Sequence, residues 1–154
     1  MATTCPDKEN ENCHPAIRFS NDTKNSLRVR KEFHKSTIPS PFTDPWDISN
    51  ISYTVRGEMY KVNGSEQGNR RAISSSVCFE NFFNREGYSG TVYVYVFDAE
   101  TIENTPWEVV ARDYLVLKRY DLTLEDLQRL DWKITYPPTE AMKDVKQYPP
   151  YGSE

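Results

Sequence analysis

The chain has 154 residues, 19 Lys+Arg against 23 Asp+Glu, and a formal net charge of −4. That length suits one domain, and the acidic balance argues against a surface built to neutralise nucleic-acid phosphates or anionic lipid. No apolar run approaches the roughly 18 residues that a membrane-spanning helix needs. Aromatic residues are plentiful, with 10 Tyr, 7 Phe and 3 Trp, while hydrophobics reach only 37%. Rings must therefore supply much of the buried area.

Residues 1–12 read as a flexible N-terminal tether. Cys5 stands ahead of Pro6-Asp-Lys-Glu-Asn-Glu-Asn12, a polar, disorder-prone run. A cysteine before such a run is how a mature bacterial lipoprotein begins, so Cys5 is the candidate lipidation site. Only Met1-Ala-Thr-Thr4 precedes it, and the reading needs a leader that this chain does not carry. Cys13 and Cys78 are a candidate disulfide that would close a long loop and stabilise by about 3–4.5 kcal/mol. The competing reading is two buried thiols of a cytosolic protein.

Residues 13–138 read as a single β-rich domain. Ala16–Ser20 and the alternating Leu27–Lys31 predict a β-hairpin around the polar turn 21–26. From His34 to Asn50, three prolines mark a long irregular connection, which Trp46 and Ile48 would fasten to the core. Ile51–Val55 and Met59–Val62 alternate again, with Asn63-Gly64 as a turn, and a polar loop through Arg71 leads to Ala72–Val77.

Thr91-Val-Tyr-Val-Tyr-Val-Phe97 is the strongest strand. Its rings fall on one face and its valines on the other, which belongs at a sheet centre. Residues 98–103 read as a connection. Thr105-Pro-Trp-Glu108 predicts a capped helix to about Asp113, and Tyr114–Tyr120 a strand. Thr123-Leu-Glu-Asp126 is a second capping box, opening a helix whose Leu124, Leu127 and Leu130 share a face. Trp132–Tyr136 closes the domain before Pro137-Pro138. Residues 139–154 form a C-terminal tail that packs its tyrosines on the domain or lies free. The sum is a mainly β fold: an antiparallel β-sandwich or curled sheet of about seven strands with two short helical insertions.

Two blocks carry a family resemblance. They are Tyr-Val-Phe-Asp-Ala-Glu (95–100) and Tyr-Leu-Val-Leu-Lys-Arg-Tyr-Asp-Leu-Thr-Leu-Glu-Asp-Leu-Gln-Arg-Leu-Asp-Trp (114–132), with Glu-Asn-Thr-Pro-Trp (103–107), Ile-Thr-Tyr-Pro-Pro (134–138) and a Cys13-His14 opening before Ile17-Arg-Phe19. The chain resembles small uncharacterised lipoproteins of Bacteroides and related gut bacteria. That resemblance implies export and tethering at the cell envelope, periplasmic or on the outer-membrane surface, through a lipid anchor. It supplies no catalytic residue.

The residues themselves offer little catalysis. His14 and His34 could serve Ser74–Ser76, but no Gly-x-Ser-x-Gly elbow is present. Asp98, Glu100 and Glu103 read as a solvated turn rather than a glycosidase pair. Asp121, Glu125 and Asp126 read as cap and first-turn acids rather than a calcium site. No cofactor, metal or nucleic-acid partner is expected, and the chain is read as not an enzyme. The leading expectation is an accessory or protein-interaction domain of the envelope, partnered by an unknown envelope protein. The alternative is a carbohydrate-binding module. Trp46, Tyr148 and Tyr151 are the candidate ligand contacts, while Trp107 and Trp132 read as core.

Overall fold

The computed structural model describes residues 13–33, 59–64, 69–75, 77–84 and 87–153. Strand β5 (Thr91–Asp98) organises them. It lies in the middle of a five-stranded antiparallel sheet of order β3-β2-β5-β6-β8, with β2 spanning Leu27–Phe33, β3 Tyr60–Val62, β6 Lys118–Thr123 and β8 Lys146–Tyr148. A second sheet has the order β4-β1-β7, from Arg70–Ser74, Ala16–Asn21 and Lys133–Tyr136. The antiparallel expectation holds except for one pair, since β1 runs parallel to β7.

The alternation of β5 divides the interior in two. Val92, Val94 and Val96 join Ile17, Phe19, Ile73 and Ile134 of the smaller sheet in the core between the sheets. Tyr93, Tyr95 and Phe97 point the other way, against Ile102, Trp107 and Val110 of two covering helices. The six side chains from Val92 to Phe97 are fully buried. Each contributes roughly 1.5–3 kcal/mol relative to an exposed position.

Four short helices link the strands of the described residues: α1 (Phe79–Phe83), α2 (Ala99–Asn104), α3 (Trp107–Asp113) and α4 (Leu124–Arg129). Thr123 and Asp126 form the expected reciprocal capping box of α4, and Leu127 and Leu130 dock into the inter-sheet core. The segment expected as a tail joins the sheet. Arg119 of β6 pairs with Tyr148 of β8, and Met142 and Val145 are buried in the core.

Several local expectations give way to tertiary demands. The anticipated hairpin of β1 and β2 does not form, because the two strands belong to different sheets. Asn21 makes the crossing. Its fully buried amide donates to the carbonyls of Asn25 (2.7 Å), Val62 (3.0 Å) and Asn63 (3.0 Å). Its oxygen accepts from the Thr23 amide at 2.9 Å and hydroxyl at 2.7 Å, an Asx-type turn. Gly64 sits against this corner, where a Cβ would fall 2.3 Å from the Lys24 carbonyl oxygen.

Residues 99–104, expected as a connection, are helical because Asp98 caps them, accepting from the Thr101 amide at 3.0 Å. Thr105 is then occupied in closing α2, so Pro106 takes the N-cap of α3 and no side chain caps it. Strand β6 begins at Lys118 rather than Tyr114. Tyr114 ends α3 in the left-handed conformation with φ 49°, which a strand cannot accommodate.

Candidate ligand-binding groove

The end of β2 and the exposed side of α1 enclose a cavity of about 450 Å³. Strand alternation places Phe33 on the inter-sheet side, opposite Val92, while Arg30 and Glu32 lie opposite Tyr95 and Tyr93 on the other face. Helix α1 buries Phe79 and, three residues on, presents the half-buried Phe82. Phe33 and Phe82 stack with centroids 4.2 Å apart and planes 15° from parallel. Tyr88 stands edge-on to both, at 6.5 and 6.0 Å. This mix of stacked and T-shaped contacts is the arrangement ring quadrupoles prefer.

Tyr60 completes the aromatic wall. Its hydroxyl donates to the Ser74 carbonyl and accepts from the Ser74 amide, both at 3.2 Å. The Arg71 guanidinium lies 5.1 Å from its centroid, a cation–π contact that fixes the ring. The polar side of the groove is Arg30, Lys31 and Glu32. Arg30 and Glu32 are ion-paired and largely shielded from solvent. Rings on one side and a charged pair on the other give a surface suited to a ligand with an apolar face and a polar rim.

A clamp holds α1 in place. Cys13 and Cys78 are disulfide-bonded with Cα atoms 5.0 Å apart, joining the start of β1 to the N-cap of α1. His14 adds three contacts. Its amide donates to Glu80 Oε1 at 2.8 Å, its Nδ1 lies 2.6 Å from Glu80 Oε2, and its carbonyl accepts from the Phe79 amide at 2.8 Å. The imidazole also stacks on Trp132, centroid to centroid 4.2 Å and 9° from parallel. Trp132 holds φ 60°, a left-handed conformation that costs on the order of 1 kcal/mol or more for a bulky residue. A His–Glu pair is half of an acid–base site, but here one ring face and one ring nitrogen are engaged in fastening a helix. Among the described residues no group of three or more His, Cys, Asp or Glu is placed to hold a metal ion.

The residues singled out from the sequence are dispersed. Cys13 and Cys78 are brought together as expected. Cys5 and Trp46 lie outside the described residues, as do the expected strand 51–55 and His34. Tyr148 is half-buried in β8, with the Arg119 guanidinium 4.8 Å from its centroid and Tyr93 on the same cation at 5.3 Å. Arg119 is itself buried and held by Asp121 at 2.7 Å. Tyr151 is 40% exposed. Neither tyrosine lines the groove. Trp107 and Trp132 are buried, as expected.

Four of the six acids weighed as catalytic or calcium-binding have structural partners. Asp98 caps α2, Asp126 completes the α4 box, and Asp121 pairs with Arg119. Glu103 meets Arg28 at 2.7 Å and Lys61 at 3.8 Å. The hydrogen bond from Arg28 holds the Glu103 carboxyl below its usual range.

Sequence reasoning passed over Phe33, Phe82 and Tyr88. The available signal was the density of rings in Phe79-Glu-Asn-Phe-Phe83 and Tyr88, too many for one short segment to bury. No family model matches the chain, and neither a curated protein nor a solved structure does.

Proposed function

We propose that this is an exported, non-enzymatic binding module whose ring-lined groove takes a carbohydrate. The observation that carries the reading is the convergence of Phe33, Phe82, Tyr88 and Tyr60 on one cavity of about 450 Å³ beside Arg30, Lys31 and Glu32. Sugar rings present C–H faces that pack on aromatic surfaces, and hydroxyls that bond to charged side chains. The Cys13–Cys78 disulfide fits an oxidising compartment. Envelope tethering through a lipid on Cys5 belongs to the same proposal, supported by the polar run after that cysteine and by the resemblance to Bacteroides-type lipoproteins.

A second reading, an accessory domain that docks an envelope protein, has one observation in its favour. Tyr114, Leu115, Val116 and Leu117 line a hollow of about 270 Å³ at the start of β6, and Leu117 is 36% exposed. A glycan array separates the two. Retention of particular sugars by the protein, abolished in Phe82→Ala and kept in Leu117→Ser, supports the carbohydrate reading. No retention on any glycan refutes it.

A further inference from the structure

The outer face of the β4-β1-β7 sheet carries a second feature, unconnected with the groove. Strand alternation buries Ile17 and Phe19 and turns Arg18 and Ser20 outward. In register, Arg18 lies between Ala72 of β4 and Lys133 of β7, and Ser20 between Arg70 and Thr135. Arg18, Ser20, Arg70, Lys133 and Thr135 together line a depression of about 230 Å³. Side chains directly opposite across a pair stand roughly 5 Å apart at Cβ and diagonal ones about 7–8 Å. Three cations therefore crowd one small area.

Among the described residues, little carboxylate charge offsets them. No described residue makes an ion pair with Arg18 or Arg70. Lys133 has only Asp131, at 3.7 Å, with that carboxylate 85% exposed, a contact worth little in water. Cations on edge strands discourage edge-to-edge pairing, which accounts for Arg70 and Lys133. It does not account for Arg18, which sits on the central strand beside Lys133, where like charges repel. The chain has more acidic than basic residues, yet no described acidic residue lines this depression.

We propose that this face binds a tetrahedral oxyanion ester, sulfate or phosphate, carried on a glycan. Two guanidiniums, an ammonium and the Ser20 and Thr135 hydroxyls supply donors from several directions, which suits a tetrahedral group better than one planar carboxylate. Among the described residues lining it there is no ring on which a nucleobase could stack. That the carrier is a glycan rests on the carbohydrate reading of the groove; the oxyanion chemistry does not.

The test is binding of dextran sulfate, dextran phosphate, uncharged dextran, polyglutamate and an RNA homopolymer to the full chain and to two variants, Arg18→Gln/Arg70→Gln and the charge-matched Arg112→Gln/Lys143→Gln. The expected result is binding of one or both dextran esters, weakening as salt rises, with Kd raised roughly tenfold or more in the double-arginine variant and unchanged in Arg112→Gln/Lys143→Gln, which removes two exposed cations elsewhere. The sulfate and phosphate arms identify the ester. Equal binding of polyglutamate or RNA would overturn the proposal, as would ester binding that survives loss of both arginines. Absence of ester binding overturns it too, and leaves the groove to be judged on neutral sugars. Both arginines are exposed, and circular dichroism of the double variant confirms its fold.

Discussion

Replacing Asn21 should be among the most damaging single changes in the molecule. The residue is fully buried where β1 leaves one sheet and the chain enters the other. Its amide nitrogen has two protons and three carbonyl acceptors, at 2.7, 3.0 and 3.0 Å, so one proton is shared. Its oxygen accepts twice from Thr23, at 2.9 and 2.7 Å. Asn21→Ala removes all of these. With about 1 kcal/mol net for each of three to four effective bonds, plus desolvated carbonyls left short of donors, the loss is about 3–5 kcal/mol. Asn21→Asp keeps the Thr23 contacts but turns a carboxylate oxygen toward three carbonyls, and should cost at least as much at neutral pH. Urea unfolding followed by tryptophan fluorescence reads both. With m near 2 kcal/mol/M, the midpoint should fall by roughly 1.5–2.5 M. A loss below about 1 kcal/mol in Asn21→Ala would refute the corner as the junction between sheets.

Other expectations follow from the same structure. Cys13→Ala/Cys78→Ala opens a link between residues 65 apart and should destabilise by about 4 kcal/mol; thiol titration of the unfolded, unlipidated chain without reductant should find one free thiol, and three would contradict the bond. Thr123→Ala removes half of the α4 capping box and should cost about 1 kcal/mol by denaturant titration. Glu103 should titrate below its ordinary 4.5, as followed by NMR, because its charged form gains Arg28 on folding. Its contribution is therefore present above the ordinary value and lost as pH falls through the lowered one, and Arg28→Ala should return the midpoint toward normal.

Much of the fold is legible in local pattern. The two-faced alternation of 91–97 specifies a central strand, and the Thr123–Asp126 spacing specifies a helix start, because each depends on residues adjacent in sequence. The misreadings share a different cause. The turn at 21–26 has hairpin chemistry, but the amide that fixes it bonds to carbonyls of residues 62 and 63, which no local pattern reveals. Asp98 reads equally as a strand end or a helix cap, and the tight succession of α2 and α3 leaves Thr105 to serve the first. The groove was least visible. Phe33, Tyr60, Phe82 and Tyr88 come from four separate places in the chain, and only α1, clamped by Cys13–Cys78 and the His14–Glu80 contact, brings Phe82 onto Phe33. A surplus of rings says that area is buried, not which rings are left lining a cavity.

The central claim is that this groove holds a sugar, and a two-dimensional NMR titration of the isotope-labelled chain with the oligosaccharide retained on the array tests it most directly. Saturable shifts are expected at Phe33, Tyr60, Phe82 and Tyr88, with the Arg30 and Glu32 amides following and the Tyr114–Leu117 segment unmoved. Saturable shifts confined to Tyr114–Leu117, or no saturable shift at any of the four rings, would contradict it.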